Sequence, residues 1–475
     1  MKSDTITIKK GLDLPIGGAA EKLLTDARSI TTYAVKPTDF VGLTPRLLVE
    51  VGDAVAAGDA LFCDKNDERI RFTSPVSGQV KAIVRGEKRR LLEVVVETDF
   101  KSAPTQELPK TAEEIKTAML QCGLWTSLRQ RPFGTVANPD DKPKAIFVSA
   151  FSSAPLAPDY DFIMQGKEEL LFKGLEALTN LTDGKVHVCF KPNQQLAKQF
   201  SIVKFAQSES KESSLSLPSQ SKFNEVNSQL SIHHISGPHP SGNIGTQIAH
   251  IDPINKGEVV WTMNIQDVAV LGELVTTGVY SPERVIAVAG PNIKNPHYYR
   301  VKVGACLAEI TKVQLTEDNT RMDRIISGDI LSGTQIAADG FLGAYDDLVS
   351  IIPEGDYYDF MGWLMPGFKK FSFSRTFLSG FMPKMLKWKF DTNTHGDERP
   401  LVFTGNFERV FPFDIYPTQL IKACIVGDIE LMENLGIYEV EPEDFALCEF
   451  IDTSKTDIQA IIREALEKLR KEALS

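Results

Sequence analysis

Only a few stretches of this 475-residue chain combine residue types that could do chemistry. The first is Gly237-Pro238-His239-Pro240-Ser241-Gly242-Asn243-Ile244-Gly245-Thr246, with three glycines, two prolines and a histidine. Glycines let a backbone approach a ligand closely, and a histidine can donate a hydrogen bond to a carbonyl. The same residues also build a rigid turn between domains, because Gly and Pro dominate turns for backbone reasons alone. The turn is the preferred reading, with Gly237, His239, Gly242 and Gly245 as candidate ligand contacts. A second stretch is residues 361–390. It holds Lys369, Lys370, Arg375, Lys384, Lys387 and Lys389, no Asp or Glu, and eight aromatics including Trp363, Phe368 and Trp388. Such a segment is suited to docking on a partner or an anionic headgroup surface, or to packing between domains with its lysines solvated.

Other candidates fall away. The six cysteines, Cys63, Cys122, Cys189, Cys306, Cys424 and Cys448, are scattered, and no two are three residues apart. That spacing offers neither a zinc knuckle nor an iron–sulfur cradle, so reduced, mostly buried thiols are expected and no metal site. His233 and His234 are adjacent in an apparent strand and point to opposite faces, which makes a structural role the natural one. A Walker GxxxxGK[ST] pattern and a strand-linked GxGxxG are both missing from the sequence, so nucleotide binding has no local support. No Ser-His-Asp set can be recognised, since such partners meet only in space, and no catalytic residue is assigned.

The net charge of -11 disfavours a general nucleic-acid-binding surface. A hydrophobic content of 42% is ordinary for a globular chain. No stretch approaches the ~20 consecutive apolar residues that a bilayer span requires. The opening MKSDTITIKKGLDLP has charges without an apolar run behind them, which argues against a secretory signal. A cytoplasmic chain without a transmembrane segment is expected.

The elements that must position these residues form an α/β multidomain chain. Residues 46–100 read as short strands with turn signals at Gly52-Asp53 and Gly58-Asp59 and a later Pro75-Val76-Ser77-Gly78. The spacing resembles a lipoyl-type barrel-sandwich domain. Lys65 precedes the expected hairpin tip near Asn66-Asp67 and lacks the acidic and small neighbours of a modified lysine, so a structural barrel is expected. Thr111-Ala-Glu-Glu114 is a capping box for a helix with Ile115, Ala118, Met119 and Cys122 on one face and Gly123 at its end. Strands at Ala145–Ser149 and Val186–Phe190 flank a helix over 167–180, a parallel, right-handed unit and hence a Rossmann-like α/β domain. Residues 207–231 are Ser-rich and read as a surface loop. A strand over Arg284–Ala289, a return strand over 296–303 and a helix after Gly304 suit a β-grasp-like (SLBB-type) unit. Ile458, Ile461, Ile462, Ala465, Leu466 and Leu469 stripe a terminal helix capped at Thr456 or Asp457. The resulting division is 1–103 barrel-sandwich, 104–255 α/β, 256–330 β-grasp-like, 331–400 a β-rich and basic aromatic connector, and 401–475 helical.

Three segments carry a family resemblance: Ile8-Lys9-Lys10-Gly11-Leu12-Asp13-Leu14-Pro15; Gly237–Thr246 leading into Asp252-Pro253, Val260-Trp261 and Gln266-Asp267-Val268; and Gly405-Asn406-Phe407-Glu408-Arg409-Val410-Phe411-Pro412-Phe413-Asp414-Ile415-Tyr416-Pro417-Thr418. In this order, over nearly the whole length, they resemble the A-subunit family of the bacterial sodium-translocating NADH:quinone oxidoreductase. The resemblance implies a peripheral subunit on the cytoplasmic side of the inner membrane. Its six-subunit complex oxidises NADH, reduces ubiquinone, exports sodium and uses flavins and Fe-S clusters. It also makes quinone the ligand for the Gly237–Gly245 loop, and a membrane-embedded protein of the complex the partner for Lys369, Lys370, Arg375, Lys384, Lys387, Trp388 and Lys389. Relatives in the Rnf complex and in respiratory complex I place a Gly-rich FMN loop after a helix like 111–122. Here Gly123-Leu124-Trp125-Thr126-Ser127-Leu128-Arg129-Gln130-Arg131-Pro132-Phe133 keeps one glycine before a run of bulky side chains, which blocks close approach of a phosphate. Arg129 and Arg131 are expected in surface or partner contacts. Near the C-terminus Cys448 stands alone, and Asp452-Thr453-Ser454-Lys455 replaces the family's usual Cys-Pro-Gly-Lys. No redox cofactor is therefore expected in this chain. The alternatives are a lipoyl-type carrier and a cofactor-bearing Rnf-like or complex-I-like subunit.

Overall fold

The computed structural model describes residues 5–27, 29–101, 103–200, 229–315, 322–358, 360–361, 365–368, 370–381 and 387–473. Among them are four sheets and a separate helical cluster. The chain has an N-terminal barrel-sandwich domain, an α/β domain, an SLBB-type domain and a C-terminal helical domain.

The barrel pairs two sheets. One runs Thr32–Val35, Leu91–Thr98, Gly78–Arg85, Ala54–Val55; the other runs Pro45–Leu47, Ala60–Asp64, Arg71–Thr73. Inward residues such as Val94, Val96, Leu61 and Phe62 are fully buried, and Phe62 stacks on Phe72 at 4.8 Å. Both Gly-Asp pairs are turns. Gly52 and Gly58 take left-handed φ of 98° and 93°, and the following aspartates accept the amides of Glu50 and Ala56. Lys65 is the first residue past the strand Ala60–Asp64, and its amide donates to Thr44 O at 2.8 Å. The tip beyond it is tied down, by Arg69 to Asp67 and Asp140 and by Arg46 to Glu68.

The α/β sheet has the order Thr5–Thr7, Leu230–Ser236, Lys185–Phe190, Ala145–Ser149, Val260–Asn264, Arg129–Arg131, Thr135–Val136. The first five strands are parallel, and the last two turn back antiparallel. Helices Glu168–Thr179 and Ile265–Thr277 cross so closely that a Cβ on Gly174 would lie 1.9 Å from Val268 O, and one on Gly272 1.8 Å from Leu170 O. Only glycine permits that backbone-to-backbone contact. The helix Ala112–Cys122 carries the expected capping box and ends on Gly123 at φ 83°.

The third sheet runs Thr334–Ile336, Asp323–Ser327, Leu348–Pro353, Glu283–Ala289, His297–Lys302, Glu21–Asp26. The terminal helix Ile458–Ala473 buries Ile458, Ile462, Ala465, Leu466 and Leu469, and Ile461 is half-buried. Among the described residues no helix is long and apolar enough to cross a membrane.

Several elements lie outside the divisions read from sequence. Val260–Asn264 pairs in parallel with Ala145–Ser149, so it and the helix Ile265–Thr277 belong with the α/β sheet, not after a boundary at 255. Strands Thr5–Thr7 and Glu21–Asp26 pair with Leu230–Ser236 and His297–Lys302, not with the barrel. Thr334–Ile336 and Leu348–Pro353 complete the β-grasp sheet, so 331–400 is not simply a connector. A fully buried parallel strand lacks the alternation that marks it in sequence, and its partners lie far along the chain. Of the Ser-rich stretch 207–231, residues 207–228 lie outside the described residues; Leu230 and Ser231 begin a strand.

Candidate functional site: an interdomain junction and an adjoining cavity

The Gly237–Thr246 segment joins the strand Leu230–Ser236 to the helix Ile244–Ile251. His239 is only 3% exposed. Its amide donates to Asp13 Oδ1 at 2.9 Å, its carbonyl accepts from Leu12 N at 2.8 Å, and its Nδ1 lies 3.1 Å from Ser153 Oγ. The same Ser153 oxygen accepts the Gly242 amide at 2.7 Å. Burial lowers the His239 pKa, against the pull of Asp329 and Asp13, which favours the neutral ring. The space beside the glycines is taken by protein. An added Cβ would lie 2.4 Å from Ile8 O at Gly237, 2.3 Å from Ser153 N at Gly242, and 2.4 Å from Asp444 Oδ1 at Gly245.

The segments 8–15, 237–246 and 405–418, distant in sequence, meet here. The Ile8 amide donates to Ser236 O at 2.7 Å, Leu12 bonds His239, and the Gly11 amide donates to Arg409 O at 3.2 Å. A Cβ on Gly11 would come 2.1 Å from His239 O.

Beside the junction the segment 123–133 meets the C-terminal domain. Thr126 and Ser127 turn their hydroxyls back on the carbonyls of Gly123 and Leu124. Trp125 is buried, donates to Ala137 O at 2.8 Å and packs edge-on to Trp261. Arg129 pairs with Glu441 at 3.0 Å, and Arg131 reaches Glu443 at 2.7 Å, Asp444 at 3.3 Å and Glu441 at 3.7 Å. Arg463 adds a bond to Phe133 O at 2.9 Å. These arginines are therefore neither surface nor partner groups: Arg131 is 3% exposed and Arg129 is mostly covered. Burial raises Glu441, but the Arg131 and Arg129 charges outweigh it and hold the group below its ordinary range. Burial wins at Asp444 despite Arg131, and its pKa is pushed up to about 7. The site does not fit a flavin phosphate. Leu124, Trp125 and Leu128 turn into the core, and both guanidinium groups are engaged by carboxylates, so neither is free to hold a phosphate.

A cavity of about 70 Å³ lies where the barrel, the Gly123–Ser127 turn and the β-grasp sheet meet. Phe40, Phe72, Leu124 and Val270 give apolar walls; Lys36, Asp39, Asp267 and Arg284 give charge. Arg284, 1% exposed, donates to Asp267 Oδ1 at 2.5 Å and to Ala344 O at 2.6 Å. Burial, opposed by Lys36, pushes the Asp39 carboxyl up to about 6. Sequence reasoning missed this cavity because its walls come from segments far apart. Its one visible trace was Asp267, which falls inside one of the family segments.

His187 Nδ1 and His233 Nε2 lie 2.8 Å apart, and His187 stacks on Phe147 at 4.5 Å. Among the described residues no group of three or more His, Cys, Asp or Glu side chains is arranged to hold a metal ion.

The basic aromatic segment divides in two. Phe371, Trp388 and Phe390 pack on one another, and Phe371 and Phe390 reach Phe450 of the helical domain at 5.9 Å. The Trp388 amide donates to Pro15 O at 2.7 Å, and its ring is half-buried. Lys370 lies over the Phe377 ring at 5.7 Å. Arg375, Lys387 and Lys389 are exposed, and Lys369 and Lys384 lie outside the described residues. Tyr358, Phe360 and Phe381 are 99%, 83% and 80% exposed.

These domains and their junction define a multidomain α/β protein whose family segments serve its internal assembly. Family models for an "NqrA N-terminal barrel-sandwich hybrid domain", an "NqrA second alpha/beta domain" and an "NQRA C-terminal domain" match residues 6–99, 110–212 with 210–280, and 285–338. The A subunit of the Na(+)-translocating NADH-quinone reductase of Yersinia pseudotuberculosis is 38% identical over 98% of this chain and 100% of its own. Those of Pasteurella multocida and Vibrio atlanticus have the same identity and coverage. The chain belongs to the A-subunit family of the Na(+)-translocating NADH-quinone reductase.

Proposed function

We propose that this chain is the peripheral A subunit of a sodium-exporting NADH:ubiquinone reductase, bound at the cytoplasmic face of its membrane partners. End-to-end similarity to relatives of that name carries the reading. The test is affinity purification of the tagged chain from native membranes. Co-purification of sodium-stimulated NADH:quinone reductase activity supports the proposal; recovery of the chain without that activity refutes it.

The protein works without a flavin or cluster of its own; the carboxylate-paired Arg129 and Arg131 and the isolated Cys448 support this reading. It docks through the basic aromatic segment 361–390 and its flank, where Tyr358, Phe360, Arg375, Phe381, Lys387 and Lys389 are exposed among the described residues. Quinone contact is the finer part of the proposal. Backbone of Ile8 and Ser153 fills the space beside Gly237 and Gly242, the Asp444 carboxylate that beside Gly245, and Ser153 contacts the His239 ring. The adjoining cavity has apolar walls and a buried donor in Arg284, but at about 70 Å³ it must widen before it can take a quinone ring. A quinone carrying a photoreactive ring substituent, cross-linked in the intact complex, separates the two. Labelling of residues around Phe40 and Arg284 supports the cavity, and labelling at 237–245 supports the loop.

A further inference from the structure

We propose that the barrel domain carries a second docking site, a groove that takes an extended, acidic segment of another protein chain as an added strand. The strand Pro45–Leu47 pairs on one side with Ala60–Asp64; among the described residues no strand pairs with its other edge. That open edge faces the hairpin joining Gly78–Arg85 to Leu91–Thr98 across a groove of about 400 Å³. Its floor is apolar, from Pro45, Leu47 and Leu91, and its rim is Arg46, Arg85, Arg89 and Arg90. The hairpin is held in shape by Arg85, which donates to Arg89 O at 3.1 Å, and by left-handed turns at Lys88 and Arg89.

The charge is local and available. The chain has a net charge of -11, whereas Arg85–Arg90 holds four basic residues and one acid. Arg46 is forked onto Glu68, but Arg85, Arg89 and Arg90 make no ion pair among the described residues and are exposed. A guanidinium fork matches a carboxylate in bidentate geometry. A strand added to this short edge gains main-chain hydrogen bonds there, with Pro45 offering a carbonyl but no N–H, and turns alternate side chains to one side. Carboxylates at every second position would therefore meet the arginine rim, with small side chains over the floor.

The shape favours a peptide over a lipid surface. The groove is concave and two-sided, whereas a membrane would meet only the hairpin tip. That tip, Gly86-Glu87-Lys88-Arg89, offers no apolar group to insert and carries an acid.

The experiment uses the full chain and a fluorescein-labelled octapeptide alternating glutamate and threonine. A second octapeptide has the same composition with its glutamates clustered at one end. Vesicles of phosphatidylcholine with phosphatidylglycerol form a third arm. Anisotropy should show saturable binding of the alternating peptide, at least tenfold tighter than the clustered one. Arg85→Glu with Arg90→Glu should abolish it. Arg89→Ala with Arg90→Ala, a milder change on an exposed hairpin, should weaken it at least threefold with an unchanged circular dichroism spectrum. Equal affinity for the two peptides would reduce the rim to a diffuse charged patch and overturn the proposal. So would arginine-dependent vesicle binding without peptide binding, or no binding in any arm.

Discussion

Replacing Arg131 by Met should loosen the C-terminal domain from the α/β domain without unfolding either core. Arg131 is nearly fully buried and faces three carboxylates, Glu441, Glu443 and Asp444, within 4 Å. Methionine fills much of the volume but leaves those charges unpaired. Breaking a buried ion pair from one side costs about 3–5 kcal/mol, because the remaining charge loses its compensation in a low-dielectric site. At about 1.4 kcal/mol per factor of ten, amide protection around Glu441–Ala446 should fall by roughly two to nearly four powers of ten. Hydrogen exchange read by mass spectrometry is the suitable assay, since a multidomain chain has no single melting free energy. The same peptide should report pH. The Asp444 carboxyl is pushed up to about 7 in the folded chain, so the folded state holds a proton that the unfolded state releases. Its contribution is fully present below the ordinary aspartate range and is lost as pH rises through about 7. Glu441 acts in the opposite sense: its contribution is present above the ordinary glutamate range and is lost as pH falls through its lowered value. Between about pH 5.5 and 8 Asp444 dominates, and the junction should be tighter at the acid end. Asp444→Asn should remove that slope. Protection in Arg131→Met within threefold of the parent, or an Asn variant that keeps the slope, would refute an ion-paired junction.

His239→Ala should loosen the junction through loss of the Ser153 contact, visible as faster proteolysis near 152–154. If the ring instead meets quinone, the quinone KM of the whole complex should rise while assembly holds. Phe360→Ser with Phe381→Ser should weaken attachment to the membrane complex at unchanged melting temperature, whereas Trp388→Ala should lower stability by about 1 kcal/mol, as expected for a half-buried aromatic. Intact-mass measurement of native protein should show Lys65 unmodified, since it lies off a hairpin tip already held by ion pairs; a lipoyl or biotinyl mass increment would overturn this.

Local physics was legible in the sequence. The Thr111–Glu114 capping box, the left-handed Gly123, the Gly-Asp turns of the barrel and the apolar stripe of the terminal helix depend on residues a few positions apart. Tertiary structure decided the rest. Arg129 and Arg131 read as surface groups because their partners stand 312 residues or more away along the chain. The glycines of 237–245 lie against the backbone of Ile8 and Ser153 and the carboxylate of Asp444, groups that arrive from far along the chain. Trp388 and Phe360 are alike in sequence, two aromatics in one stretch. One closes on Phe371 and Pro15, and the other faces solvent. The strand Val260–Asn264 lies inside the α/β sheet because Ala145–Ser149 offers it a buried parallel edge. Residue type and short spacing set what each segment can form, whereas burial depends on which distant segment arrives beside it, and only the folded chain brings those segments together.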